Sequence, residues 1–291
     1  GEPIPTYQCD AFLTQVQSLN PYLYYQGYLN DGGASPVDQS GNGRTGFFNL
    51  ANWTDPNSNP PPAVGWIDVC EPTNVARFTG GGGTTNSIVY PSNDRELAPI
   101  VSDMTFAFAI YTSYQQGSNS FGFIVGLDND ILNAGSNPDY GYDIRWRPDD
   151  GNFELGVLND NFSDLWVRSS SGANPAGVGY DGNGDPKWMF MVVRVRRTSS
   201  ELQWSVHADS VELFDITTTQ SGSPNTDTLA QNTRWNPGGS ANYFRPIWGQ
   251  DATTGWSSMP CGVSHMQVYD GALTQQQIDD LQAAWERNKD V

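Results

Sequence analysis

From about residue 20 to about residue 272 the chain is a succession of short apolar runs cut by clusters of Gly, Asn, Asp and Pro. Nowhere in that span do apolar residues recur at helical spacing. Many short strands with turn clusters between them, and no intervening helices, point to an all-β sandwich or jelly roll. The strands are expected at Tyr22–Tyr25, Met104–Thr112, Phe121–Leu127, Tyr142–Trp146, Phe153–Leu158, Leu165–Arg168, Trp188–Val195, Leu202–Val206, Val211–Ile216, Tyr243–Trp248 and Val263–Tyr269. In Met104–Thr112, Phe106, Phe108 and Ile110 alternate with Ala107 and Ala109, so the two sets lie on opposite faces. Trp188–Val195 is apolar on both faces and belongs at the centre of a sheet. Pro56, Pro60, Pro61 and Pro62 make 52–65 read as an exposed loop.

The two ends differ from the middle. Asp10 is the expected cap of a short helix over Ala11–Gln17 that stops at Asn20-Pro21. Thr274 is the expected N-cap of a helix over Gln275–Arg287, in which Ile278, Leu281, Gln282 and Trp285 form one stripe that docks on the sandwich edge. No linker divides the chain. It is expected to be one domain over 1–291, with an N-terminal arm and helix in 1–20 and a C-terminal helix in 272–291.

Charge excludes several partners. Asp and Glu number 32 against 14 Lys and Arg, a formal charge of −18, and the only lysines are Lys187 and Lys289. Such a chain repels nucleic acid, anionic membrane surfaces and acidic polysaccharides. No apolar run is long enough to cross a bilayer, so no membrane insertion is expected. The chain opens on Gly1 rather than Met and without a charged-then-apolar leader, so its N-terminus reads either as processed or as left over from expression, and whether a leader once existed stays open. Cys9, Cys70 and Cys261 fit no metal or redox spacing. One disulfide with a free thiol and three buried thiols both remain open.

Two segments carry a family resemblance. Leu19-Asn20-Pro21-Tyr22-Leu23-Tyr24-Tyr25 precedes Asp38-Gln39-Ser40-Gly41-Asn42-Gly43-Arg44-Thr45-Gly46, and His265-Met266-Gln267-Val268-Tyr269-Asp270-Gly271-Ala272-Leu273-Thr274 closes the chain. The pair resembles the laminin G-like, concanavalin A-like lectin/glucanase superfamily, which opens on an apolar strand and a D-x-S-G-N-G-x-x-G turn and ends on a strand, a small-Leu-Thr step and a short helix. The resemblance implies a concanavalin A-like jelly-roll sandwich of two antiparallel sheets, with short helices near both termini. The glycines of the turn suit positive φ, and its chemistry is structural. Many relatives hold calcium between the opening turn and the final strand. That role carries onto Asp38 and Asn42, although Ser264 and His265 stand where relatives have an acidic residue. Asp181-Gly182-Asn183-Gly184-Asp185 has alternate oxygen ligands like the start of a calcium loop, but Pro186 occupies the position where an EF-hand needs Gly. Asp181, Asn183 and Asp185 are therefore candidate ligands outside that motif.

One such fold hosts many functions, so function must come from a site. Sugars are held by aromatic faces beside polar groups. Trp53, Trp66, Trp166, Trp235 and Trp256 lie in or near loop-like sequence, and Asn232, Trp235, Asp251 and Trp256 are the candidate ligand-binding residues. Catalytic patterns fail. A glycosidase strand needs acids at alternate positions; Glu212 and Asp215 stand at odd spacing, which predicts opposite faces. His207 and His265 read as ordinary strand residues. The expected function is therefore a non-catalytic, surface-exposed module for glycans, extracellular or on a virion. The alternative is a phage structural protein, a capsid decoration or tail component, and a glycan-cleaving enzyme comes third. The expected partners are a glycan, another virion or cell-surface protein, or a second copy of the chain.

Overall fold

The computed structural model describes residues 9–25, 38–44, 46–49, 76–78, 88–91, 103–111, 121–128, 141–147, 152–158, 164–168, 183, 187–197, 202–218, 245–249, 257–258 and 261–289. Helix α1 is Cys9–Ser18 and helix α2 is Gln275–Lys289. The strands are β1 Leu23–Tyr25, β2 Gly46–Asn49, β3 Ala76–Phe78, β4 Ile88–Pro91, β5 Met104–Tyr111, β6 Phe121–Asp128, β7 Gly141–Arg147, β8 Asn152–Leu158, β9 Asp164–Arg168, β10 Met189–Arg197, β11 Leu202–Ala208, β12 Val211–Thr218, β13 Arg245–Gly249, β14 Ser257–Ser258 and β15 Cys261–Asp270. The structure is mostly antiparallel β with a helix near each end, as the sequence predicts. Asp10 is the second residue of α1 rather than its cap. An acidic residue in the first turn still complements the helix dipole.

Two sheets hold these strands. The first runs β1-β15-β5-β10-β11-β12, with β3 also on β15. The second runs β2-β4-β13-β6-β7-β8-β9, with β14 parallel to the start of β6. Strands from the two ends of the chain are neighbours: Leu23, Tyr24 and Tyr25 pair with Val268, Gln267 and Met266. Ring contacts join the sheets. Trp248 of β13 meets Phe106 and Tyr25, each at 6.4 Å between centroids, and Phe153 of β8 meets Phe214 of β12 at 5.6 Å.

The alternation in β5 is realised on both sides. Phe106 lies toward the second sheet, while Ala107 and Ala109 belong to a cluster with Phe12 and Val16 of α1 and Ile278, Leu281, Ala284 and Trp285 of α2. Alanine at these two positions leaves room for helices to approach the strands, so α2 covers the face of the first sheet at its interior strands β5 and β10 rather than the expected sandwich edge. Phe190 and Val192 of β10 complete that surface, and the Trp285 ring lies 5.6 Å from that of Phe190. Helix α2 starts on a capping box: Thr274 Oγ1 accepts from the Gln277 N–H at 3.3 Å, and Gln277 Oε1 accepts from the Thr274 N–H at 2.8 Å. Gln282, the polar member of the predicted stripe, is also buried.

The second sheet separates its residues by parity. Trp248, Val125, Ile144, Leu155 and Val167 share one row across β13, β6, β7, β8 and β9. Trp248, Ile144 and Phe153 are buried, so this face is the one toward the core. The intervening positions, on the opposite face, include Asp143, Arg145, Glu154, Trp166 and Arg168.

Trp285 anchors α2, and a Trp-to-Ala change at such a buried site costs about 3 kcal/mol or more. Trp285→Ala should lower unfolding stability by that amount in urea titration. An unchanged midpoint would mean that α2 is not docked.

Candidate functional site

The D-x-S-G-N-G turn is built as a clasp. Asp38 Oδ1 accepts from the N–H groups of Tyr24 at 3.1 Å and Ser40 at 2.9 Å, and Oδ2 accepts from that of Arg44 at 2.9 Å. Gly41 and Gly43 take φ of +87° and +71°, the left-handed conformations anticipated for this turn. The Asn42 side-chain amide donates to the carbonyls of Pro21 and Tyr22 at 3.0 and 3.1 Å. The Arg44 guanidinium lies 3.8 Å from the Tyr22 ring centroid and donates to the Tyr22 carbonyl at 3.1 Å. The Asp38 carboxylate thus faces three N–H donors, beside the donating Asn42 amide and the Arg44 guanidinium. Among the described residues no three His, Cys, Asp or Glu side chains converge as metal ligands. Asn183 sits in an exposed turn. Asp181 and Asp185 lie outside the described residues, as do Asn232, Trp235, Asp251, Trp256 and Cys70.

Polar chemistry concentrates instead where the helices cover the first sheet. Arg194 is almost fully buried. Its Nε donates to Ser205 Oγ at 3.0 Å, one terminal nitrogen to the Leu273 carbonyl at 3.1 Å, and the other to Glu212 Oε2 at 3.2 Å. Thr105 Oγ1 donates to the Gly271 carbonyl at 2.7 Å and accepts from the Leu273 N–H at 3.0 Å. Together Thr105 and Arg194 fix the corner between β15 and α2.

Glu212 and Asp215 do share a face, contrary to their odd spacing. Phe214 pairs with Val206, but Glu212 pairs with His207, so Leu213 is an extra residue in β12. This bulge resets the alternation. The two acids are nevertheless bound to arginines: Glu212 to Arg194 at 3.2 Å and Asp215 to Arg196 at 2.5 Å. A glycosidase acid is kept protonated by apolar surroundings, and neither carboxylate has them. Ser205, His207 and Glu212 also converge, yet not as a relay. His207 Nε2 faces both Ser205 Oγ at 3.4 Å and Glu212 Oε2 at 3.8 Å, while its Nδ1 has no partner among the described residues. A triad needs one ring nitrogen for the nucleophile and the other for the acid.

His265 is a structural residue of an uncommon kind. Ser264 pairs with Ala109 and Gln267 with Ala107, so His265 and Met266 together face Phe108. His265 takes φ of +49° in this bulge. Its Nδ1 lies 2.8 Å from the Tyr24 hydroxyl, and the Phe12 ring stands edge-on 4.8 Å away. Burial lowers its pKa from 6.5 to about 3. Burial, then the nearby Arg194, lowers that of His207 to about 4. Both imidazoles are neutral near pH 7.

No family model and no curated protein matches the chain. Solved structures do. One is the binding domain of botulinum neurotoxin DC in complex with rat synaptotagmin II, 12% identical, covering 93% of this chain and 52% of that one, with a TM-score of 0.54. Another, from work on the dependence of botulinum neurotoxin type C cell entry on two ganglioside molecules, is 12% identical over 94% of this chain and 53% of its own, at 0.53. A third is the serotype D ligand-binding domain with N-acetylneuraminic acid, 11% identical over 94% and 52%, at 0.51. The chain thus spans about half the length of these structures. At such identities the likeness is one of fold.

The buried histidines give stability a pH dependence. The unfolded chain protonates them near their ordinary pKa of 6.5, the folded one only near 4 and 3. Their contribution is whole above pH 6.5 and is lost as pH falls toward 4. His265→Asn keeps a residue that tolerates positive φ. Its unfolding free energy should lie below that of the parent at pH 7, and the gap should narrow by about 1.4 kcal/mol per pH unit between pH 6 and pH 4. A constant gap would contradict a buried neutral His265.

Proposed function

We propose that residues 1–291 form one lectin-like domain of the laminin G-like, concanavalin A-like superfamily, a non-catalytic module that binds glycans at an extracellular or virion surface. The observation that carries this reading is the use to which Asp38, Asp209, Glu212 and Asp215 are put. Asp38 holds backbone amides. Asp209 accepts from the Phe190 N–H at 3.0 Å and pairs with Lys187 at 2.8 Å. Glu212 and Asp215 hold arginines. These carboxylates knit strands, turns and helices together rather than converge on a substrate bond. The fold shared with domains that bind a ganglioside, a sialic acid or a receptor protein supports recognition as the task. The chain's own charge of −18 selects against acidic ligands and favours neutral sugars.

On a glycan array the purified chain should bind neutral oligosaccharides saturably. Incubated with the same sugars it should release no reducing ends, and Glu212→Gln should leave that result unchanged. Release that disappears in a carboxylate variant would make the protein an enzyme, and an array without signal would remove the glycan reading.

A further inference from the structure

The second sheet has a face opposite its core face, and the register lines up its residues. Gly126, Asp143, Gly156 and Trp166 form one row across β6, β7, β8 and β9. Ile124, Arg145, Glu154 and Arg168 form the adjoining row. We propose that these two rows are the glycan-binding site and that the ligand is a neutral oligosaccharide whose pyranose rings present an apolar side. The inference rests on the reading of the chain as a glycan-binding module and gives that module its address.

Four features of the placement support it. First, the rows of the core face are apolar throughout: beside the Trp248 row stand Pro246, Leu127, Tyr142, Val157 and Leu165. A tryptophan at position 166 therefore falls outside the set that the core requires. Aromatic rings are the platform on which the apolar side of a sugar is held, and a carboxylate in the same row supplies acceptors for its hydroxyls. Second, Asp143 stands between two glycines in ladders without a register shift, and glycine within a strand that has no bulge suits the close approach of a ligand or another backbone. Third, the strands of this face are charge-balanced. Arg145, Arg147, Arg168 and Arg245 stand against Asp128, Asp143, Glu154 and Asp164, four of each, in a chain that carries −18 overall. A balanced face on an acidic protein suits a neutral ligand better than an anionic or cationic polymer. Fourth, four strands about 4.8 Å apart give a row roughly 14 Å long, which matches a short oligosaccharide rather than a single sugar. The corresponding face of the first sheet is already taken by α1 and α2.

Hydrogen exchange of the full chain with cellohexaose, laminarihexaose, maltohexaose, xylohexaose, mannohexaose and sialyllactose tests this directly, alongside titration calorimetry. At least one neutral hexaose should slow exchange at the amides of β7, β8 and β9. Trp166→Ala and Asp143→Asn should each weaken its binding about tenfold or more, the equivalent of one lost contact of ~1.4 kcal/mol, and Trp166→Phe should keep part of it. The melting temperature of Asp143→Asn, read in parallel, separates lost recognition from lost folding. Binding with no protection in these strands, and parental affinity in both variants, would overturn the site while leaving glycan binding intact. Tighter binding of sialyllactose than of every neutral sugar would overturn the neutral ligand. No binding to any of the six would overturn both the site and the reading beneath it.

Discussion

A sheet that is apolar on both faces must be covered on both. In β5 the face of Phe106 looks to the second sheet, and that of Ala107 and Ala109 is closed by helices from the two ends of the chain. Ile278, Leu281 and Trp285 bring three large side chains to that surface, each worth about 1.5–3 kcal/mol when buried. Phe12 adds contacts at 5.8 Å to Phe190 and 4.8 Å to His265. The helices are therefore a third layer of the core rather than appendages.

Covering this face also dictates what its polar residues do. Arg194, Thr105, Ser205 and Tyr24 lie under or beside the helices, and a buried polar group without a partner is expensive. Arg194 donates to Ser205, to the Leu273 carbonyl and to Glu212, Thr105 donates to the Gly271 carbonyl, and the Tyr24 hydroxyl meets His265. Thr105 and Arg194 thereby fix the corner into α2. The segment between β13 and β14 begins and ends on the first half of β6, since Gly249 pairs with Ile124 and Ser257 with Phe121.

The sequence was legible wherever a pattern ran for a full element. The Phe/Ala alternation of β5, the two-sided run at β10 and the Ile278, Leu281, Trp285 stripe are all realised. So is the pairing of the chain's two ends, which the signature at Tyr22–Tyr25 and Val263–Tyr269 anticipated. Strands of three or four residues, such as Ala76–Phe78 and Ile88–Pro91, are too short to establish a period, and only long-range pairing makes them strands. The extra Leu213 in β12 inverted the faces of Glu212 and Asp215, because a bulge is a property of the ladder and not of one strand. The oxygens of Asp38 serve amides supplied by residues as distant as Tyr24, a long-range contact that one segment of sequence does not display. Trp166 was one ring among five until the register of β8 and β9 put it in a row with Asp143.

Native-state hydrogen exchange across a series of low denaturant concentrations tests most directly whether the helices belong to the core. If α1 and α2 are its third layer, the protected amides of α2 will open with the same free energy and the same denaturant dependence as those of β5, β10 and β15. Exchange of α2 through a separate opening of low energy, with the three strands still protected, would show that the first sheet stands without its helical cover.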